Sequence, residues 1–225
     1  MALVRRFGSP EFFITVTCNP QWPELLSAIR NEFNAAIPES LLALTRPDIV
    51  ARVARLKFRQ IVEDIMTHQI FGRASAYVFT IEFQKRGLPH MHLLVIMSPA
   101  DKIHSADQLD DLISAEIPED DPELKELISK WMIHNPCGDM NPSAPCMVSK
   151  HGRDQCRWGF PMEHQDMTSL VDDEKPRYRR RYNPLLDPMN PEFSHEQAIY
   201  RKDCNGQRVT TDNRHVVPYN AYLLK

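Results

Sequence analysis

The segment from Tyr77 to Met97 constrains the fold more than any other part of the chain. Tyr77-Val-Phe-Thr-Ile-Glu-Phe-Gln84 and His90-Met-His-Leu-Leu-Val-Ile-Met97 flank Lys85-Arg-Gly-Leu-Pro89. Two aliphatic and aromatic runs around a short turn-forming stretch predict a β-hairpin. Side chains alternate across a strand, so Thr80, Glu82 and Gln84 share one face of the first arm. His90, His92, Leu94 and Ile96 share one face of the second. If the two faces coincide, four ligand-capable groups converge at the turn end.

The rest of the chain supplies partners for such a hairpin. Phe12 to Thr17 is aromatic and β-branched, is too short for a helix and stops at Asn19-Pro20, which predicts a buried strand and a turn. Pro23 opens a helix carrying Leu25, Leu26, Ile29 and Phe33, and a longer helix runs from Pro47 toward Phe71-Gly72. Helices are expected from Ala106 to Glu116 and from Pro122 to His134, after which helical periodicity fades. The expected fold class is α+β, with a central antiparallel sheet and helices packed on it. The expected domains are a core over residues 1–134 and a Cys/Pro-rich region over 135–225, in which Tyr219 and Tyr222 read as packing residues.

Composition limits the function. Lys and Arg number 27 against 30 Asp and Glu, a net charge of −3, so no global basic field announces a nucleic-acid partner and any such contact must be local. No stretch approaches the roughly 20 apolar residues of a membrane span, and no partner membrane is expected. The five cysteines are odd in number, and Cys137, Cys146 and Cys156 crowd together, which suits reduced thiols or a metal better than a disulfide frame.

Three constellations carry chemistry. His90 and His92, with Glu82 or Gln84 across the hairpin, form a set of nitrogen and oxygen donors that suits Zn, Mn, Co or Mg. The bland reading is a pair of histidines hydrogen-bonded in a core. His134, Cys137, Cys146 and Cys156, with His151 as an alternative, fit a tetrahedral structural zinc site stapling a Pro-rich region with little core of its own. The alternative there is free thiols in a loop. Lys85 and Arg86 at the hairpin turn, and Arg177, Tyr178, Arg179, Arg180 and Arg181 followed by Tyr182, combine cations with aromatic rings, the means by which single strands are held. A solvated loop is the plain reading of that Arg run.

The string Ile81-Glu-Phe-Gln-Lys-Arg-Gly-Leu-Pro-His-Met-His-Leu-Leu94 resembles the replication-initiator domain of Helitron transposases, the Helitron helicase-like domain. Further blocks continue the likeness: Phe13 to Glu24, Ser114 to Pro118, Met132 to Gly138, Tyr178 to Arg181 and Asp212 to Asn220. The resemblance implies an HUH-type endonuclease and strand transferase acting on single-stranded DNA at transposon ends, in a nucleus, during rolling-circle transposition. It implies that His90 and His92 bind a divalent ion, Mg or Mn, with Glu82 as the better third ligand and Gln84 the alternative, while a tyrosine attacks the scissile phosphate. It also implies a helicase domain downstream in the full-length protein. Family members place two tyrosines four residues apart beyond the Val-Val-Pro-Tyr-Asn block, so the nucleophile is expected to be missing from a chain ending at Lys225. Two rivals remain at this point: a metal-dependent phosphoesterase using water, and a non-catalytic zinc-containing nucleic-acid-binding fragment.

Overall fold

Met91, Leu93, Val95 and Met97 are buried, while His90, His92 and Leu94 between them are half-buried and face the other way. That alternation belongs to β3 (Pro89–Met97), the middle strand of a three-stranded antiparallel sheet flanked by β1 (Phe12–Thr17) and β2 (Ala74–Phe83). The computed structural model describes residues 2–32, 45–84, 87–150, 152–171 and 175–225. Phe33, Lys85, Arg86 and His151, which the sequence singles out, lie outside the described residues.

The sheet belongs to the first of two compact units, Met1–Ile103 and His104–Lys225. Its N-terminal helix α1 (Ala2–Phe7) precedes β1, and α2 (Pro23–Glu32) and α3 (Pro47–Met66) follow it. Proline stands at the first turn of α2 and α3, where its missing N–H has no helical partner to lose. Leu25 and Ile29 of α2 are fully buried, and Ile49, Val50, Ala54, Phe58 and Ile65 of α3 form an apolar stripe packed on α2 and β3. Burial of side chains such as Leu93 contributes about 2 kcal/mol each to this core. The outer strand β2 is exposed on most of its length: Tyr77, Phe79, Ile81 and Phe83 line a groove of about 830 Å³ with Phe58, Val62 and Met66 of α3.

In the second unit, α4 (Ala106–Leu112) starts at a capping box in which the Ser105 hydroxyl accepts from the Gln108 N–H. Asp121 caps α5 (Pro122–Trp131) in the same manner, accepting from Leu124 N–H. Two small hairpins follow, β4 (Met147–Lys150) with β5 (Arg153–Cys156), and β6 (Ile199–Lys202) with β7 (Arg208–Thr211), before the short α6 (Ala221–Leu224). Ile117, Leu124, Ile128, Ile133, Leu186, Ile199, Val216 and Tyr219 form its core. Isolated bridges Ser114↔Tyr219 and Ile133↔Val216 bring the C-terminal segment back onto the start of the unit.

Three sequence expectations change here. Contacts divide the chain after Ile103 and not at residue 134, because Leu124 and Ile128 of α5 bury themselves against Val216 and Tyr219, far downstream. The helix expected to Glu116 ends at Leu112, since Ser114 and Glu116 are engaged by Tyr219 and Arg181. Tyr219 packs as expected, with its hydroxyl donating to Glu116 O at 2.9 Å, but Tyr222 is 58% exposed on the last short helix and does not.

Candidate metal and nucleic-acid sites

The register of the sheet settles which groups face the histidines. Across β2–β3, Glu82 stands opposite His90 and Thr80 opposite His92; across β1–β3, Thr17 stands opposite His90 and Thr15 opposite His92. All six therefore share the sheet face that turns away from the buried Met91, Leu93 and Val95. The two imidazole centroids lie 4.5 Å apart. Thr17 Oγ1 is 2.8 Å from His90 Nδ1 and Thr15 Oγ1 is 3.4 Å from His92 Nδ1, while Gln84 Nε2 approaches His90 Nδ1 at 3.4 Å. Hydroxyls thus occupy the Nδ1 side of both rings. His92 Nε2 points to Glu82 Oε1 at 3.6 Å, and Phe13 stacks on the His92 ring at 5.4 Å. Burial, followed by the neighbouring His92, holds His90 below its ordinary imidazole pKa although Glu82 pulls the other way, which favours the neutral, ligating form.

The sequence reading missed Thr15 and Thr17. A signal was present: Thr-x-Thr in the first strand repeats the two-residue period of His-x-His in the third.

A second group is tight. Among the described residues, His134, Cys137, Cys146 and Cys156 form a group of metal-capable side chains whose ligand atoms all lie within 4.8 Å of one another. Four donors so placed are compatible with a tetrahedron whose S···S edge is about 3.8 Å for Zn–S bonds of about 2.3 Å. They form a possible metal site consistent with zinc. His134 follows α5, Cys137 lies in the next loop, and Cys146 and Cys156 stand at the base of the β4–β5 hairpin. His134 stacks on Phe160 at 4.3 Å, and its Nε2 lies 3.6 Å from Cys156 Sγ. Burial pushes the Cys137 thiol up to about 12 and raises Cys146, with each other's sulfur adding to the effect on Cys137. Burial also opposes ionisation of Cys156, yet the backbone N–H groups of Trp158 and Phe160, together with the Cys146 and Cys137 side chains, outweigh it and lower its pKa. Elsewhere, Cys18 is a buried thiol pushed up to about 11 by desolvation, and Cys204 is exposed.

The expected Arg patch is corrected by the structure. Arg180 is 4% exposed, and its Nη1 donates to the carbonyl oxygens of Asn213 at 2.6 Å and Val216 at 2.7 Å. Arg181 forks onto Glu116, and Arg179 reaches Asp110 and Glu116. Tyr178 is half-buried, and burial raises its phenol pKa. The run pairs with residues 165–169 through the bridges Gln165↔Arg180 and Ser169↔Arg177, so its alternate side chains point inward. Arg177 alone of its arginines is exposed without an ion pair among the described residues.

Residues 1–95 match the family described as the Helitron helicase-like domain at the N-terminus. The similarity is confined to this segment. The Helitron-like match contains the whole three-stranded sheet except the last two residues of β3, and both histidines lie inside it. The blocks from Ser114 onward that extend the resemblance fall outside the matched residues. Comparison with curated proteins finds no match to the chain. No helix among the described residues is long and apolar enough to cross a membrane.

Proposed function

We propose that the open sheet face of the Helitron-like segment binds a divalent ion and a single DNA strand, as the metal-holding part of an HUH-type nuclease acting in rolling-circle transposition in a nucleus. The observation that carries this reading is the register that places His90, His92 and Glu82 together on one solvent-facing side of the sheet. The donor chemistry fits a divalent ion: the Glu82 carboxylate suits Mg or Mn, the two imidazoles suit a transition ion better than Mg, and Glu82, His90 and His92 would hold it. When bound, such an ion supplies Lewis-acid polarisation of a phosphodiester oxygen.

The chain's own residues prepare the site. Thr15 and Thr17 fix the ring orientation of His92 and His90 from the Nδ1 side and leave Nε2 for the ligand, the outer-shell arrangement that tunes metal-binding histidines. Glu82, with its side chain 65% exposed, is free to close on the site. Phe13, also 65% exposed beside His92, offers a ring for a base to stack on. The reading assigns no tyrosine to attack: Tyr219 is buried, with its hydroxyl donated to Glu116 O.

The test is Mn²⁺ binding followed by electron paramagnetic resonance, together with a denaturing-gel assay for cleavage and protein-linked DNA on a labelled single strand. Stoichiometric Mn²⁺ lost in His90→Ala and His92→Ala supports the site, and unchanged binding in both overturns it. A Tyr222-dependent adduct would show that the chain carries its own nucleophile. A second reading, a zinc-containing module that binds nucleic acid without cutting, is favoured by the close packing of the cysteine cluster. It predicts that His90→Ala leaves DNA affinity intact.

A further inference from the structure

With Arg179, Arg180 and Arg181 absorbed into internal contacts, the free cations of the second unit lie elsewhere. In the β4–β5 hairpin, Lys150 stands directly opposite Arg153, and Val148 opposite Gln155. These four share one face, and all four are exposed. Asp154, the acid of the hairpin, pairs with Ser149 on the other face. Like charges placed directly opposite one another destabilise a strand pair, and neither Lys150 nor Arg153 has an ion-pair partner among the described residues. An anion laid across the face removes that repulsion. Just past β5, Trp158 is 59% exposed, with the Arg157 guanidinium 5.2 Å from its ring.

Paired cations at the turn end of the hairpin and an exposed, cation-bearing indole just past its second strand fit one kind of partner, a chain of phosphates with unstacked bases, long enough to reach both. We infer that the Lys150–Arg153 face and Trp158 bind single-stranded nucleic acid, the cations on phosphates and the indole on a base. At the base of the hairpin the Arg157 N–H donates to Cys146 O at 2.9 Å, extending the strand pairing past Met147↔Cys156, so the surface is presented by a paired element. This surface is separate from the His90–His92 face and goes beyond the function proposed for it. Binding here survives His90→Ala, so the failure of either reading leaves the other open to judgement.

The experiment is fluorescence anisotropy with a labelled oligothymidylate and, as a second arm, the matching oligouridylate, each over a salt series. Zinc content and circular dichroism of every variant serve as folding controls. Lys150→Glu with Arg153→Glu is expected to weaken binding on the order of tenfold and to reduce the salt slope by about 1.4, at roughly 0.7 per phosphate contact. Trp158→Ala is expected to lose roughly 5- to 150-fold with the slope unchanged. Equal losses on DNA and RNA mark phosphate and stacking contacts, and a loss confined to one sugar type still places the strand on this face. Unchanged affinity in both variants overturns the inference. So does an equal loss in Ser149→Glu, on the opposite face, which would reduce the effect to net charge.

Discussion

Arg181 closes a fork on Glu116: Nη2 donates to Oε2 at 2.7 Å, Nε to Oε1 at 3.0 Å, and the Arg181 backbone N–H to Oε1 at 2.7 Å. Burial acts to raise the Glu116 pKa, but the Arg181 hydrogen bonds outweigh it and hold the carboxyl below its ordinary value. A depressed carboxylate adds stability that is present above the unfolded value of about 4.3 and is lost as pH falls through the lower folded one. Glu116→Gln is expected to cost about 2 kcal/mol at pH 7, moderated because the Arg181 side chain is 59% exposed. Its urea midpoints should fall less than wild type between about pH 5 and pH 3, and parallel pH profiles would show that the pair contributes no linkage.

Thr17→Val keeps the shape of the side chain and removes the hydroxyl 2.8 Å from His90 Nδ1. Loss of an outer-shell partner of this kind lowers metal affinity by about 10- to 100-fold. Titration of Mn²⁺ against the variant should show that drop while the melting temperature stays within a few degrees. An unaltered affinity would mean that Thr17 does not orient the ring.

Removing a sulfur from the cysteine cluster should unpin the β4–β5 hairpin. Cys146→Ser is expected to abolish stoichiometric zinc by elemental analysis. It should lower the melting temperature by about 5 to 10 °C, at about 2–4 °C per kcal/mol for a chain of this size. A strong chelator should do the same to wild type and nothing further to the variant.

Tyr219→Phe deletes one hydrogen bond, to Glu116 O, and leaves the buried ring in place. The expected cost is about 1 kcal/mol by denaturant unfolding, with no change in any DNA-linked product. A loss of covalent product would reassign Tyr219 from packing to attack.

Much of the first unit was legible because its signals are local. The aromatic and β-branched run of Phe12–Thr17, read as a buried strand though Phe13, Thr15 and Thr17 turn to an exposed face, the prolines at the first turns of α2 and α3, and the two-residue period of His90 and His92 are each carried within a few residues. The strands β4 to β7 were not legible: four-residue runs such as Arg153–Cys156 hold too few apolar positions to show a period. The spacing of His134, Cys137, Cys146 and Cys156 is irregular in sequence, yet their ligand atoms converge to within 4.8 Å.

By itself, the sequence determined the hairpin, the face on which each histidine lies and the cysteines that gather, since a side chain's identity and the strand period are properties of the chain alone. Tertiary structure decided the fate of the charges. Arg179 to Arg181 look like a patch for phosphates until Glu116, some 65 residues earlier, is brought against Arg181 and the carbonyls of Asn213 and Val216 close on Arg180. A cation's partner is chosen by what folding places within about 3 Å of it, and no local pattern encodes that choice.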